Sequence, residues 1–233
     1  MITLYGMGSP NVVKVLIMLH EASLPFDFVR VDVVNGEQFT GEFGRLNPNR
    51  KVPVLIDARA ADNPVTVFES GAILMYLADT TGVLWPRDRV ERYRVVEWLM
   101  LQMASLGPTA GQAIHFTRAV PEPSYARMRF LNELDRLMGV VEAQLARHAH
   151  MCGDAYSLAD VAFYPWFRTL ARFFPERVSR PAITRWMDEV ARRPPVIAAY
   201  AQSDEMTRRD LALLKTADAA TLDRYFGRSP QAD

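Results

Sequence analysis

Two neighbouring stretches of this chain read Lys51-Val52-Pro53-Val54-Leu55 and Phe68-Glu69-Ser70-Gly71-Ala72-Ile73. The first begins an apolar run that ends near Asp57, and Val65-Thr66-Val67-Phe68 follows after a polar loop. Two β-prone runs joined by such a loop predict a hairpin of antiparallel strands. Proline is tolerated at the entrance to a strand, which fits Pro53. Spacing alone favours a trans bond before it, because only about 5–6% of such bonds are cis. A cis bond would leave the preceding backbone groups free to pair with an extended peptide.

The second stretch predicts a strand that runs directly into a helix. Ser70 precedes the apolar run 71–77 and can cap that helix. The N–H groups at a helix start attract a carboxylate, and Glu69 beside them suits an ammonium. The pair therefore fits the head group of an α-amino acid. A plain helix cap beside a solvated glutamate is the alternative that the residues leave open.

Composition limits the functional classes. The chain has 233 residues, enough for one large or two modest domains, and 49% of them are hydrophobic, as in a globular protein. Lys+Arg and Asp+Glu are both 27, so no charge excess favours nucleic acid or an anionic membrane. No apolar run reaches the roughly 18 residues of a membrane span, and no basic signal start is present. A single cysteine, Cys152, excludes an internal disulfide. We expect a cytoplasmic protein without membrane or nucleic-acid partners.

The first third of the chain predicts a small sheet with helices. The order is a strand at 2–5, a helix at 11–22, a strand at Phe28–Val33, a polar loop at 35–50, the hairpin, and a helix from Ser70 to about Asp79. The first two strands are predicted to be parallel, with a right-handed crossover. Together these elements predict a four-stranded mixed sheet.

The rest of the chain predicts helices. The segment 80–86 breaks the periodicity and marks a domain boundary. Ser157 and Asp160 form a capping pattern, which we interpret as structural. The predicted helices are 88–116 with a bend near Gly107-Pro108, 124–148, one that follows Ser157, 181–191, a short one from Pro194, and 208–215.

Three motifs carry a resemblance that covers the chain up to about Tyr200: Ser9-Pro10-Asn11, the run 47–53, and the run 68–73. They resemble the glutathione transferase superfamily, and with the segments 106–108, 111–112 and 115–116 its bacterial nu-class branch. The resemblance implies an α/β thioredoxin-like N-terminal domain and an all-α C-terminal helical-bundle domain. The implied boundaries are 1–79 for the glutathione-binding domain, 80–87 for a linker, 88–203 for the helical domain and 204–233 for a C-terminal extension.

The resemblance also implies glutathione as cosubstrate, with no metal. Val52 beside a cis Pro53 would pair with the cysteinyl amide, and Glu69 and Ser70 would hold the γ-glutamyl end. Arg129 of a partner subunit in a homodimer would also reach that end, although a solvated helix arginine is the alternative for this position. The residues implied to bind glutathione are Asn11, Gln38, Lys51, Val52, Pro53, Glu69, Ser70 and Arg129, with Gln38 and Lys51 at the glycyl carboxylate.

Ser9 and Asn11 are the implied catalytic pair. A hydroxyl and an amide can each donate a hydrogen bond to the glutathione sulfur, and the start of the first helix adds its positive end. Nu-class proteins usually have threonine where this chain has Ser9, which keeps the hydroxyl and loses a methyl group. Tyr5 is the alternative partner for the sulfur, but it lies within the first strand.

The resemblance implies a glutathione-dependent disulfide-bond reductase that also has glutathione transferase activity. Cys152 lies far along the chain, so disulfide chemistry would use the sulfur of glutathione itself. A non-catalytic or regulatory glutathione-binding protein, or a transferase for one unknown electrophile, remains the alternative. The second substrate would lie between the domains, and candidates for its pocket, each of which is equally well a core residue, are Met7, Met103, Leu106, His115, Phe116 and Trp166.

Overall fold

The structure is a computed structural model that describes residues 1–59, 63–119 and 124–228. The end of the predicted C-terminal extension, 229–233, lies outside the described residues. The chain divides into two compact units. One unit joins residues 1–77 to the segment that begins at Pro195, and the other comprises residues 78–194.

The first unit contains the predicted four-stranded mixed sheet, with strand order β2-β1-β3-β4. Strands β1 and β2 are parallel, whereas β1 and β3, and β3 and β4, are antiparallel. The predicted hairpin is therefore confirmed as the pair β3 and β4. The strands are β1 Ile2–Gly6, β2 Phe26–Arg30, β3 Val54–Asp57 and β4 Val65–Phe68.

Strand β2 lies earlier than the predicted range Phe28–Val33. Its length is set by its neighbour, because β1 ends at Gly6 and the partner of Gly6 is Arg30. The N–H of Val31 donates to the Gly6 carbonyl at 2.8 Å, after which the chain leaves the sheet. The alternating pattern that continues to Val33 therefore belongs to residues beyond the strand.

Three helices accompany the sheet: α1 Pro10–Glu21, α2 Gly41–Leu46 and α3 Ser70–Thr81. The predicted polar loop at 35–50 was wrong in part, because it contains a 3-10 helix at Glu37–Phe39 as well as α2. The start of α3 also differs, since the Glu69 carbonyl already accepts from the Ile73 N–H at 2.9 Å. Ser70 is thus the first helical residue, and Glu69 precedes the helix in place of the predicted serine cap.

The second unit is helical, as predicted. The predicted helix at 88–116 is α4 and α5, joined by a π-helical turn at Gln102–Leu106. Pro108 accounts for this turn, because it lacks an N–H and its ring clashes with the carbonyl four residues earlier. The predicted range 181–191 is confirmed for α9. The helices are α4 Arg89–Leu101, α5 Gly107–Ala119, α6 Tyr125–Leu145, α7 Leu158–Phe173, α8 Pro175–Val178 and α9 Pro181–Ala191.

The start of α7 is fixed by a buried carboxylate. Asp160 is fully buried and accepts hydrogen bonds from the N–H of Met151 and the indole N–H of Trp186. Its other oxygen accepts from both the N–H and the hydroxyl of Ser157, each at 2.9 Å. The structural role predicted for Ser157 and Asp160 is confirmed.

The chain then returns to the first unit through α10, Pro194–Thr216, and α11, Ala219–Tyr225. The prediction of a short helix from Pro194 and a separate helix at 208–215 was wrong. Between residues 196 and 216 the sequence contains neither glycine nor proline, so nothing interrupts the helix. None of the helices in the described parts of the chain combines the length and apolar character needed to cross a bilayer.

Candidate functional site

Ser9 and Asn11 lie together at the start of α1. Ser9 has extended backbone angles, φ −137° and ψ 153°, and its hydroxyl accepts from the Val12 N–H at 3.4 Å. A hydroxyl that accepts a hydrogen bond still has a proton to donate. Both residues are half-buried. The site therefore offers a hydroxyl and an amide at the positive end of a 12-residue helix whose next residues are fully inside the core.

Tyr5 has a different environment. It lies in β1 and packs against a core cluster formed by Val31, Phe43 and Val54. Val52 packs against the same cluster. These contacts account for an aromatic residue at position 5 without any role at a sulfur atom.

The peptide bond between Val52 and Pro53 is cis, the arrangement that the resemblance implies and that spacing alone did not favour. Lys51, which precedes Val52, is held by Asn47. The side-chain amide of Asn47 donates to the Lys51 carbonyl at 2.7 Å. Asn47 is 1% exposed. Asn47, Pro48 and Asn49 belong to one of the motifs recognised in the sequence, but the hydrogen bonds of the two asparagines were not predicted. Asparagine side chains commonly bond to the backbone of tight turns, which indicates a turn here but does not identify the partners.

Glu69 is exposed at the start of α3 and has a left-handed backbone, with φ 68°. Few residues other than glycine adopt this conformation, and it costs of order 1–3 kcal/mol. The side-chain amide of Asn49 donates to Glu69 Oε1 at 3.1 Å, and the Asn49 N–H donates to Asn47 Oδ1 at 2.8 Å. One hydrogen-bonded chain thus links the turn before Pro53 to the carboxylate, next to the buried Ser70.

Lys14, on α1, is a charged residue of this region that sequence reasoning missed. It is 1% exposed, and burial lowers its pKa well below the usual value, while the charge of Glu69 opposes that shift. Lys14 is one of eight consecutive buried residues of α1. Its burial was not predicted, because apolar side chains are expected at such positions. The amine of Lys14 lies within electrostatic range of the Glu69 carboxylate.

The two residues predicted to meet the glycyl carboxylate lie on connected segments. Gln38 is 6% exposed in the 3-10 helix, and its Oε1 is buried without a hydrogen-bond partner in the described part of the chain. Lys51 is exposed. The guanidinium of Arg50 donates to the Phe39 carbonyl at 3.3 Å and so joins the two segments.

The remaining predicted site residues divide between the units. Met7, in the first unit, is buried. In the second unit Leu106 is buried, and Trp166 lies close to Gly107, where an added Cβ would be 3.4 Å from its indole nitrogen. Met103 lies in the π-helical turn, His115 packs edge-on against Phe116, and Phe116 stacks on Phe130. Arg129 is exposed on α6, beside a shallow groove with Tyr125 and Met128.

Cys152 is unsuited to attack a disulfide. Burial raises the pKa of its thiol to about 12, and Sγ lies 3.8 Å from the Arg94 carbonyl. The thiolate is the nucleophilic form, so the raised pKa disfavours attack by this cysteine near neutral pH. Across residues 1–59, 63–119 and 124–228, His, Cys, Asp and Glu side chains form no cluster of three or more that could hold a metal.

Known proteins resemble both parts of the chain. Residues 1–79 match the family described as glutathione S-transferase, N-terminal domain, and residues 108–194 match glutathione S-transferase, C-terminal domain. The chain is 38% identical to the disulfide-bond oxidoreductase YfcG of Escherichia coli K12 over 197 residues, which cover 83% of this chain and 92% of that protein.

Solved structures of glutathione transferases are also similar to this chain. A glutathione transferase family member from Pseudomonas fluorescens with two glutathione bound has a TM-score of 0.80 at 38% identity and covers 85% of this chain and 91% of its own. A glutathione transferase from Pseudomonas putida, with one glutathione disulfide bound per subunit, has a TM-score of 0.80 at 36% identity and covers 85% of this chain and 90% of its own.

Proposed function

Since this chain belongs to the glutathione S-transferase family, we propose that it is a glutathione-dependent disulfide-bond reductase that also has glutathione transferase activity. The observation that carries the proposal is the placement of Glu69. Its left-handed backbone and its hydrogen bond from Asn49 hold a carboxylate that attracts a cation at the start of α3, where the helix N–H groups attract an anion. An amino-acid head group has both charges that this arrangement accepts.

Glutathione would lie along the end of the sheet in an extended form. Its γ-glutamyl ammonium would bind Glu69, and its carboxylate would bind at Ser70 on the α3 N-terminus. The backbone of Val52 would pair with the cysteinyl amide. Gln38 and Lys51 would bind the glycyl carboxylate, Lys51 as a point charge and Gln38 by hydrogen bonds.

The glutathione sulfur would then face Ser9 and Asn11. A free thiol ionises near pH 8.5, and donors to the thiolate favour the ionised form. The start of α1 adds its positive end. We assign Ser9 and Asn11 to stabilising the thiolate, because proton removal by Ser9 would need an activating base.

Reduction would proceed by two thiol-disulfide exchanges on glutathione sulfur. The bound thiolate attacks one sulfur of the substrate disulfide, forms a mixed disulfide, and releases the first thiol. A second glutathione thiolate attacks the glutathione sulfur of the mixed disulfide, forms glutathione disulfide, and releases the second thiol. The two electrons come from two glutathione molecules, so Cys152 has no part in the reaction.

The finer features of the resemblance belong to the same proposal. They are membership of the nu class, a cytoplasmic location, and a homodimer in which Arg129 reaches the glutathione of the partner subunit. The domain boundaries at 79, 88 and 203 and the second-substrate pocket also stay predictions. Measurement of the mass in solution tests the dimer.

The proposal is tested with purified protein and 2-hydroxyethyl disulfide. Glutathione binding is measured by titration calorimetry, and turnover is followed by coupling glutathione disulfide to glutathione reductase. We expect both binding and turnover at millimolar glutathione. Binding without turnover would select the regulatory alternative, and the absence of binding would reject the assignment of the site.

A further inference from the structure

The loop that carries Ser9 is hydrogen-bonded to a residue near the end of the described chain. The backbone N–H of Gly8 donates to Asp210 Oδ2 at 2.8 Å, across 202 positions of sequence. Gly8 immediately precedes Ser9, and the Ser9 N–H in turn donates to the Met7 carbonyl at 2.8 Å. Asp210, on α10, therefore fixes the orientation of the peptide bond between Met7 and Gly8. This bond lies next to Ser9, the proposed donor to the glutathione sulfur.

The second oxygen of Asp210 is paired with a cation. Arg30 Nη2 lies 2.6 Å from Asp210 Oδ1, and the Asp210 side chain is 5% exposed. Arg30 is the last residue of β2 and is the register partner of Gly6, the last residue of β1. The carboxylate is thus anchored to the sheet on one side and holds the loop after β1 on the other.

The packing leaves no room for this loop to shift toward α10. A Cβ added to Gly8 would lie 2.6 Å from Thr207 Oγ1 and 2.7 Å from Thr207 Cα, closer than real Cβ contacts. Glycine at position 8 therefore permits the close approach on which the bond to Asp210 depends. Neither family match includes this helix beyond its first residue, because the second match ends at residue 194.

We propose that Asp210 is a positioning residue for the glutathione sulfur, which it serves by holding the Gly8 peptide and, through it, the Ser9 hydroxyl. The inference rests on the proposed function, since it assumes that glutathione sulfur lies at Ser9. The proposal gives Asp210 no direct contact with the sulfur, because its two oxygens are bonded to Gly8 and Arg30. Without its acceptor the loop loses the bond that fixes Gly8, and Ser9 then donates to the thiolate in only part of the population.

A purely structural role for Asp210, docking α10 onto the sheet, predicts a different result. Loss of docking alone would lower the melting temperature and leave the bound thiol unchanged. Loss of positioning raises the pKa of the bound thiol, because a donor to its charged form is weakened. Glutathione affinity should change little in either case, since Glu69 and Ser70 are proposed to hold the other end of the molecule.

The experiment measures the pKa of bound glutathione from the ultraviolet absorbance of its thiolate in a pH titration. The variants are Asp210→Ala and Asp210→Asn, of which the second keeps an oxygen that can accept from Gly8. Asp218→Ala is the matched control, because Asp218 is an aspartate of the same C-terminal segment that also accepts from a backbone N–H, that of Thr221 at 2.8 Å. Should Asp210→Ala not fold, Asp210→Ser replaces it, because serine can satisfy its hydroxyl within the helix.

We expect Asp210→Ala to raise the thiol pKa by about one unit, the size of one hydrogen bond to a charged group, with the glutathione Kd within about twofold. Asp210→Asn and Asp218→Ala should match the wild type. An unchanged thiol pKa in a folded Asp210→Ala or Asp210→Ser protein overturns the inference and leaves the proposed function intact. Absence of a thiolate absorbance band in the wild type would reject both the inference about Asp210 and the proposed function.

Discussion

Glu69 and Asp160 are both acidic residues at the start of a helix, and each lies close to a serine in the sequence, yet their surroundings are opposite. Asp160 is fully buried and receives four hydrogen bonds, from Met151, Trp186 and both donors of Ser157. Glu69 is exposed and receives a hydrogen bond from Asn49. The fold uses up the acceptor capacity of Asp160 and leaves that of Glu69 accessible from outside. The same chemistry therefore gives a structural residue in one place and a candidate ligand in the other.

The most severe test of this contrast is Asp160→Ala. It leaves several buried donors without an acceptor, and each such donor costs about 1–3 kcal/mol. We expect the free energy of unfolding, measured in urea, to fall by roughly 3–5 kcal/mol. Asp160→Asn, which retains one carbonyl oxygen, should lose less. A loss of under about 1 kcal/mol for the alanine variant would show that these hydrogen bonds do not hold α7 in place.

Glu69→Gln should weaken glutathione binding and have little effect on the free energy of unfolding, the opposite of what we expect for Asp160→Ala. The variant removes the charge that we propose faces the γ-glutamyl ammonium, so we expect the glutathione Kd to rise by about 10–100-fold, or roughly 1.5–3 kcal/mol. The free energy of unfolding should stay within about 0.5 kcal/mol of the wild type. Calorimetric titration and urea unfolding measure the two effects. Glu42→Gln, an exposed acid in the first turn of α2, serves as the control, and equal losses of affinity in both variants would contradict the assignment of Glu69.

Asn11→Ala sharpens the contrast within the proposed site. Removing this proposed donor to the thiolate should lower turnover of 2-hydroxyethyl disulfide by about tenfold near neutral pH, as about one unit in the thiol pKa would. Tyr5→Phe keeps the ring that packs against the core cluster and should change turnover by less than about twofold. Steady-state rates decide between them. If Tyr5→Phe lowered turnover more than Asn11→Ala, Tyr5 would replace Asn11 as the proposed partner of the glutathione sulfur.

The smallest effect concerns His150, which borders the Asp160 cluster. His150 Nδ1 lies 3.6 Å from Asp160 Oδ1, and Nε2 lies 3.3 Å from Glu189. The interaction with Asp160 raises the pKa of His150, with Glu189 adding to it, against the effects of burial and of Arg193. A raised pKa in the folded state stabilises the fold at pH values below the usual histidine pKa, and that stabilisation disappears as the pH rises through the folded-state pKa.

We therefore expect His150→Gln to destabilise the protein more at about pH 5.5 than at about pH 8.5, on either side of the usual histidine pKa. Urea unfolding at the two pH values gives the comparison. His148, a neighbouring histidine outside this cluster, provides the control variant His148→Gln. Equal destabilisation by His150→Gln at both pH values would show that the ion pairs with Asp160 and Glu189 do not form.

Local chemistry accounts for what the sequence could predict. The hairpin, the order of strands and helices, and the Ser157–Asp160 cap follow from short runs of residues whose preferences do not depend on distant partners. The end of β2 did not follow, because the length of a strand is set by its neighbour, here β1 ending at Gly6. The unbroken α10 could have been predicted, since its sequence contains no helix-breaking residue from 196 to 216.

The candidate site divides in the same way. The assignment of Glu69 and Ser70 to an amino-acid head group follows from charge and helix polarity, which are local properties, and it stays a prediction. Lys14 was hidden by the apolar residues around it, and Asp210 could not be connected to Ser9, because their relation exists only through a contact that spans 202 positions. Asn47 and Asn49 lay within a recognised motif, but their hydrogen bonds depend on a turn whose geometry the sequence does not state.

The bond between Gly8 and Asp210 also orders events during protein synthesis. The loop around Gly8 is synthesised first, and its acceptor is added 202 residues later. At translation rates of about 5–20 residues per second, that interval is roughly 10–40 s. The nascent sheet can form while the ribosome is still at work, but the peptide beside Ser9 has to wait for α10 to emerge before its orientation is set.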